Sequence, residues 1–138
     1  MRKRRKSREF ALQVLFQLNI TKQDPIKAFA QSKEHFLKKE ESDEFAEQIV
    51  LGVQEHLQEI DRLIEKYSEN WHLDRISLID RNILRMGIFE LLYCEEIPPK
   101  VTLNEAIDLG KRFGTDNSGS FINGILDQIQ NEFVRKPI

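Results

Sequence analysis

The sequence predicts an all-α protein of about seven helices, arranged as two small helical bundles that share a central helix. Three observations predict it. Apolar residues recur at three- and four-residue steps along nearly the whole chain, which marks one buried helix face after another. No segment sustains the apolar–polar alternation of a half-buried strand. Polar or proline-containing breaks divide the chain at short intervals, with no internal repeat. The 138 residues suit one domain, with an N-terminal bundle expected over about 1–70 and a C-terminal bundle over about 74–134.

The elements follow in order. Ala11, Val14, Leu15 and Leu18 make a first amphipathic helix whose opening turns carry a basic cluster. After the polar break at Thr21 to Gln23, Asp24-Pro25 supplies an N-cap and a proline at the first helical position. The second helix carries Ile26, Phe29, Ala30, Phe36 and Leu37 and ends in the charged stretch Lys38 to Glu41. A third begins near Ser42, where Asp43, Glu44 and Glu47 suit the positive end of the helix dipole. Phe45, Ile49, Val53, His56, Leu57, Ile60, Ile64 and Tyr67 keep its period, so it is expected to be the longest helix. Gly52 inside it costs about 1 kcal/mol relative to alanine, which points to a close helix crossing.

Asn70, Trp71 and His72 interrupt the pattern, and Asp74 is placed to cap a short turn over Arg75 to Leu78. From Ile79 to Leu92 apolar residues surround most of the helix, as expected of a central one. Pro98-Pro99 ends it. Thr102-Leu103-Asn104-Glu105 reads as a capping box, with Val101 and Ala106 as its hydrophobic staple. The helix it opens runs through Ile107 and Gly110 to Phe113 and stops at Gly114, expected in a left-handed conformation. The loop Thr115 to Gly119 leads to a last helix carrying Phe121, Ile122, Ile125, Leu126, Ile129 and Phe133.

Composition narrows the function. No apolar run approaches the ~20 residues that span a bilayer, and Glu9 and Gln13 interrupt what would be a signal-peptide core. The lone cysteine, Cys94, excludes an internal disulfide and a cysteine zinc cluster, and its apolar neighbours Leu91, Leu92 and Tyr93 suit an inert packing thiol. A cytoplasmic protein is expected. His35, His56 and His72 form no metal-ligand spacing, and His56, on an apolar stripe, is expected to be a hydrogen-bonded core histidine. With no phosphate loop, nucleophile elbow or paired-carboxylate motif, no catalytic residue, metal or cofactor is assigned and the protein is expected not to be an enzyme. Arg75, Asp80, Arg81, Arg85 and Glu90 suggest a mixed-charge surface along the central helix.

The net charge of −2 conceals an uneven distribution. Arg2, Lys3, Arg4, Arg5, Lys6 and Arg8 crowd the N-terminus, opposed there only by Glu9. Such a cluster attracts phosphates locally, although a solvated terminal run has the same composition. A second candidate lies at Lys111 through Phe121, where free N–H groups at a helix start suit an anion and Phe121 in the first turn could stack on an unpaired base. A plain interhelical turn over a core phenylalanine is the alternative there.

Asp80-Arg81-Asn82-Ile83-Leu84-Arg85, Phe89-Glu90-Leu91 and Ile97-Pro98-Pro99-Lys100-Val101 together resemble the NusB family of transcription antitermination factors. So do the run from Asn104 to Gly114, the run Phe121-Ile122-Asn123-Gly124-Ile125-Leu126-Asp127, and the early pattern of Arg8, Ala11, Val14, Leu15 and Phe16. The resemblance covers nearly the whole chain. It implies a non-enzymatic RNA-binding protein that takes boxA-type single-stranded RNA of ribosomal RNA transcripts together with NusE, a small-subunit ribosomal protein. The RNA polymerase antitermination complex would then resist termination.

By position the resemblance implies RNA-binding roles for Arg2, Lys3, Arg4, Arg5, Lys6, Arg8, Lys111 and Phe121, and a protein-partner role for Asp80. The loop from Asp116 to Ser120 carries less charge than in many relatives, and Lys22 to Glu41 is poorly matched. A homodimer stays open, because helix faces that pack internally and those that dimerise look alike in sequence. The alternative is an RNA-recognition module related to the helical domain of ribosomal RNA cytosine methyltransferases, disfavoured by a chain ending at Ile138 with no methyl-donor-binding domain. A DNA-binding regulator fits less well, since no exposed polar recognition helix stands out.

Overall fold

A computed structural model describes residues 4–36, 43–69 and 72–133. Among these residues the chain forms seven α-helices and one short 3-10 turn, and no strand. The helices are α1 (Arg4–Thr21), α2 (Pro25–Phe36), α3 (Glu44–Glu55), α4 (Leu57–Tyr67), α5 (Leu78–Tyr93), α6 (Pro99–Phe113) and α7 (Ser118–Phe133), with the 3-10 turn at Leu73–Arg75. None is long and apolar enough to cross a membrane.

Helix α5 is central, as its all-round apolar sequence predicts. Every residue from Asn82 to Leu91 is buried, and α5 packs against α1, α3, α4, α6 and α7. On one side α1, α2 and α3 pack together, and on the other α6 and α7 pair closely with each other and with α5. Ile83, Leu84, Met86 and Ile88 lie in one continuous core with Leu15 of α1, Ile49 of α3 and Ile122 and Leu126 of α7. Burying each such side chain contributes about 1.5–3 kcal/mol. Two glycines set the crossings. A Cβ on Gly52 would collide with the Phe89 ring, and one on Gly87 would lie 2.7 Å from Leu126 Cδ1.

Side chains cap several helix starts, Asp24 as expected and Asp43 and Ser77 in addition. Asp24 Oδ1 accepts from the Ile26 amide at 3.2 Å, Asp43 Oδ1 from Ala46 at 3.0 Å, and Ser77 Oγ from Asp80 at 3.1 Å. These contacts satisfy N–H groups that the helix leaves without internal partners.

Other expectations are corrected. The expected long third helix breaks at His56, whose φ of −108° and ψ of 21° end α3 and begin α4, leaving the 18-residue α1 as the longest among the described residues. The period survives the break, which is why the sequence reads as continuous. Helix α6 begins at Pro99 with Pro98 as its cap, not at the expected capping box. Thr102 is already inside the helix and its hydroxyl turns to Glu90. Gly114 is extended (φ −99°, ψ −152°), not left-handed. The short turn near Asp74 starts two residues earlier than expected, at Leu73, with His72 as its cap. Arg2, Lys3, the stretch Leu37 to Ser42, and Asn70 and Trp71 lie outside the described residues.

Candidate nucleic-acid interface

Arg8 continues the apolar stripe of Ala11, Leu15 and Leu18, so the geometry of α1 drives it inward with them. It is 3% exposed. Its Nε donates to Glu90 Oε2 at 2.9 Å and its Nη2 to Glu90 Oε1 at 2.7 Å, a two-point pair between α1 and α5. Thr102 on α6 donates its hydroxyl to the same Glu90 Oε1 at 3.0 Å, and Glu105 stands 3.6 Å from Arg8 Nη1. Three helices are thereby held in register by one buried charge cluster. Arg8 is accordingly not one of the outward-facing cations.

Arg4, Arg5 and Lys6 are exposed, each with a neighbour. The Arg4 guanidinium lies 4.5 Å above the Phe45 ring of α3, a cation–π contact that Arg8 shares at 5.1 Å. Arg5 Nη2 donates to Glu105 Oε2 at 3.2 Å, and this hydrogen bond and charge raise the Arg5 pKa above its ordinary value. Lys6 Nζ is 3.9 Å from Glu9 Oε2. On the next turn Glu9 pairs with Arg112 of α6, which also approaches Asp108 at 3.7 Å. The seam between α1 and α6 is thus lined by Arg5, Glu105, Glu9 and Arg112.

The far end of the seam leads into the second candidate region. Lys111, next to Arg112, is exposed, and its aliphatic stem lies against Gly119, since a Cβ there would meet Lys111 Cγ at 3.3 Å. The absent side chain lets Lys111 lie across the first turn of α7. Phe121, in that turn, is half-buried against the core. Ser118 closes the loop by accepting from the Thr115 amide at 2.9 Å. The structure therefore pairs Arg5 and Arg112 with acids across α1 and α6 and lays Lys111 against the first turn of α7, a juxtaposition that sequence spacing alone could not show.

Asp80 is half-buried in the first turn of α5. Its Oδ1 is buried and has no hydrogen-bond partner among the described residues. The expected mixed-charge surface along α5 is largely internal, with Arg85 4% and Glu90 2% exposed. Arg85 makes a two-point pair with Asp61 of α4, at 2.8 and 3.0 Å, and donates to Asn82 Oδ1 at 3.1 Å. Asn82 in turn pairs with the Asn19 amide of α1. Ions in a helix enclosed on all sides need partners on the helices around it.

His56 is not a hydrogen-bonded core histidine. It is half-buried at the α3–α4 break and stacks on Tyr93, with centroids 4.1 Å apart and planes at 14°. Cys94 is buried, and desolvation, with Glu90 and Glu96 adding to it, pushes its thiol up to about 11. It is protonated and unreactive near neutral pH. No group of three or more metal-ligand side chains gathers among the described residues.

Fold and seam together define an all-helical module with a buried acid–base cluster at its centre and a charged surface between its first and sixth helices. Residues 5–131 match the NusB family, and the chain belongs to it. The Transcription antitermination protein NusB of Syntrophus aciditrophicus (strain SB) is 46% identical over 136 residues, covering 99% of this chain and 84% of that relative. The crystal form of T. maritima NusB superposes with a TM-score of 0.88 at 39% identity, over 97% of this chain and 94% of that one. The NusB chain of a crystal structure of antitermination factors NusB and NusE in complex with dsRNA gives a TM-score of 0.83 at 29% identity, over 93% and 96%.

Proposed function

We propose that this chain is a non-enzymatic RNA-binding transcription antitermination factor. It takes boxA-type single-stranded RNA of ribosomal RNA transcripts together with NusE, and acts in the cytoplasm within the RNA polymerase antitermination complex. The observation that carries the reading is the pair of exposed arginines at the α1–α6 seam, Arg5 beside Glu105 and Arg112 beside Glu9, with Lys111 laid against the first turn of α7 that also carries Phe121. Exposed cations on one surface suit a phosphate backbone, and a half-exposed ring suits an unpaired base. A family relative in complex with NusE and double-stranded RNA supports RNA and NusE as the kinds of partner.

In this reading Arg4, Arg5, Lys6 and Lys111 meet phosphates, with Arg2 and Lys3 as further candidates, and Phe121 meets a base. Arg8 acts from inside, fixing the first turns of α1 on α5 and α6. Asp80, half-buried in the first turn of α5, is the candidate contact for NusE by its position in the family pattern. The methyltransferase-module alternative is not favoured, since the similar curated proteins are antitermination factors that this chain nearly spans, as for 96% of the Bacillus subtilis (strain 168) relative.

Replacing Arg4 and Arg5 together by alanine should weaken binding of every RNA sequence and flatten its dependence on log salt by about 0.7 to 1.4, one to two single-strand phosphates' worth. Phe121→Ala should instead cost selectivity for unpaired bases, reducing the preference for single-stranded over double-stranded RNA by up to the ~1–3 kcal/mol of one base–aromatic stack. Fluorescence anisotropy with labelled RNA measures both. Equal losses on single- and double-stranded RNA for both variants would refute the two-part site.

A further inference from the structure

The cations of the seam do not face solvent unopposed. Glu105, whose side chain is 18% exposed, reaches two guanidinium groups, Arg5 at 3.2 Å and Arg8 at 3.6 Å. Glu9, 19% exposed, lies between Lys6 and Arg112. Arg8 already has Glu90, so Glu105 is not needed to neutralise it. The outward partner of Glu105 is Arg5, the cation with 61% of its side chain in solvent.

A phosphodiester carries the same single negative charge as a carboxylate. One that reaches Arg5 either displaces Glu105 or settles beside it, and in both cases like charge lowers the gain. Two carboxylates fixed in the seam therefore reduce its pull on any backbone.

We propose that Glu105, seconded by Glu9, sets the RNA affinity of this surface by competing with phosphate for Arg5 and Arg112, leaving discrimination to the base contacts. The inference rests on the RNA-binding reading above. Competition of this kind does not depend on sequence, because Arg5 meets phosphate and not base. It also lowers the salt dependence, since each displaced carboxylate recaptures a cation where phosphate has released one.

The test titrates a boxA-type RNA and its scrambled counterpart into the unsubstituted protein, Glu105→Gln, Glu9→Gln and the control Glu65→Gln, at four salt concentrations. Glu65 lies on α4, which packs against α5 and α7. Glu105→Gln and Glu9→Gln should each bind both RNAs roughly three- to tenfold more tightly at low salt. Their log–log salt slopes should steepen by about 0.7, the share of one single-strand phosphate. Glu65→Gln should match the unsubstituted protein. Circular dichroism checks the fold, and if Glu105→Gln is unfolded, Glu9→Gln decides the case. Variants that bind no more tightly, with unchanged slopes, overturn this inference alone. Failure of the unsubstituted protein to bind either RNA overturns the functional reading and this inference with it.

Discussion

Arg8→Ala is expected to lower the unfolding free energy by about 3–5 kcal/mol, the usual cost of removing one partner from a buried ion pair. Its partner Glu90 is 2% exposed and would keep only the Thr102 hydroxyl as a donor among the contacts identified around it. The loss comes chiefly from stranding that carboxylate in an apolar helix and less from the attraction forgone. For this reason the double replacement Arg8→Met with Glu90→Leu should cost less than Arg8→Ala alone, because no charge is left unpaired. Urea denaturation followed by circular dichroism measures both. A loss below about 1 kcal/mol for Arg8→Ala would mean that the pair behaves like an exposed one.

Gly52→Ala is the second large effect, with an expected loss of about 2–3 kcal/mol. Alanine favours helix over glycine by about 1 kcal/mol, so intrinsic propensity alone predicts stabilisation. The crossing with α5 reverses the sign. The new methyl would meet the Phe89 ring, whose movement is restricted by the neighbouring Tyr93 ring at 5.5 Å. Phe89→Leu in the Gly52→Ala background should recover part of the loss, since a smaller side chain at the contact makes room and neighbouring sites couple. Denaturant midpoints of the single and double variants test this, and a stabilised Gly52→Ala would show that the helices separate at little cost.

The sequence disclosed the helices more readily than their ends. Periodicity identifies α5 as central because its apolar residues leave no open face, and Gly52 announces a close crossing because a helix interior otherwise disfavours glycine. The break at His56 leaves no such trace, since Ile49, Val53, Ile60 and Ile64 keep their spacing across it. Pro98-Pro99 reads as a stop for α5, but Tyr93 already ends that helix and the prolines begin the next. Thr102 looks like a cap by its spacing to Glu105, but its hydroxyl serves the buried Glu90.

The candidate site was legible in its parts and not in its assembly. The basic run and the Lys111 to Phe121 region stand out by composition, but their connection through Glu9 and Arg112 depends on how α1 lies on α6. Arg8 looked like one more cation of the run. The signal that separates it is its phase, three residues before Ala11 on the buried stripe. Glu90 carried the matching signal, a lone acid between Phe89 and Leu91 in a helix without spare surface. Charge draws attention to function, and helical phase decides which charges can reach a ligand.

In the function proposed here, the α1–α6 seam of this NusB-family protein holds a specific RNA jointly with NusE. The most direct measurement is anisotropy of a labelled boxA-type RNA, titrated at two salt concentrations with and without NusE, beside a scrambled RNA. Tighter binding of the boxA-type strand, tightened further by NusE and weakened by added salt, is the predicted result. Equal affinity for the scrambled strand, with NusE present and absent, would contradict it.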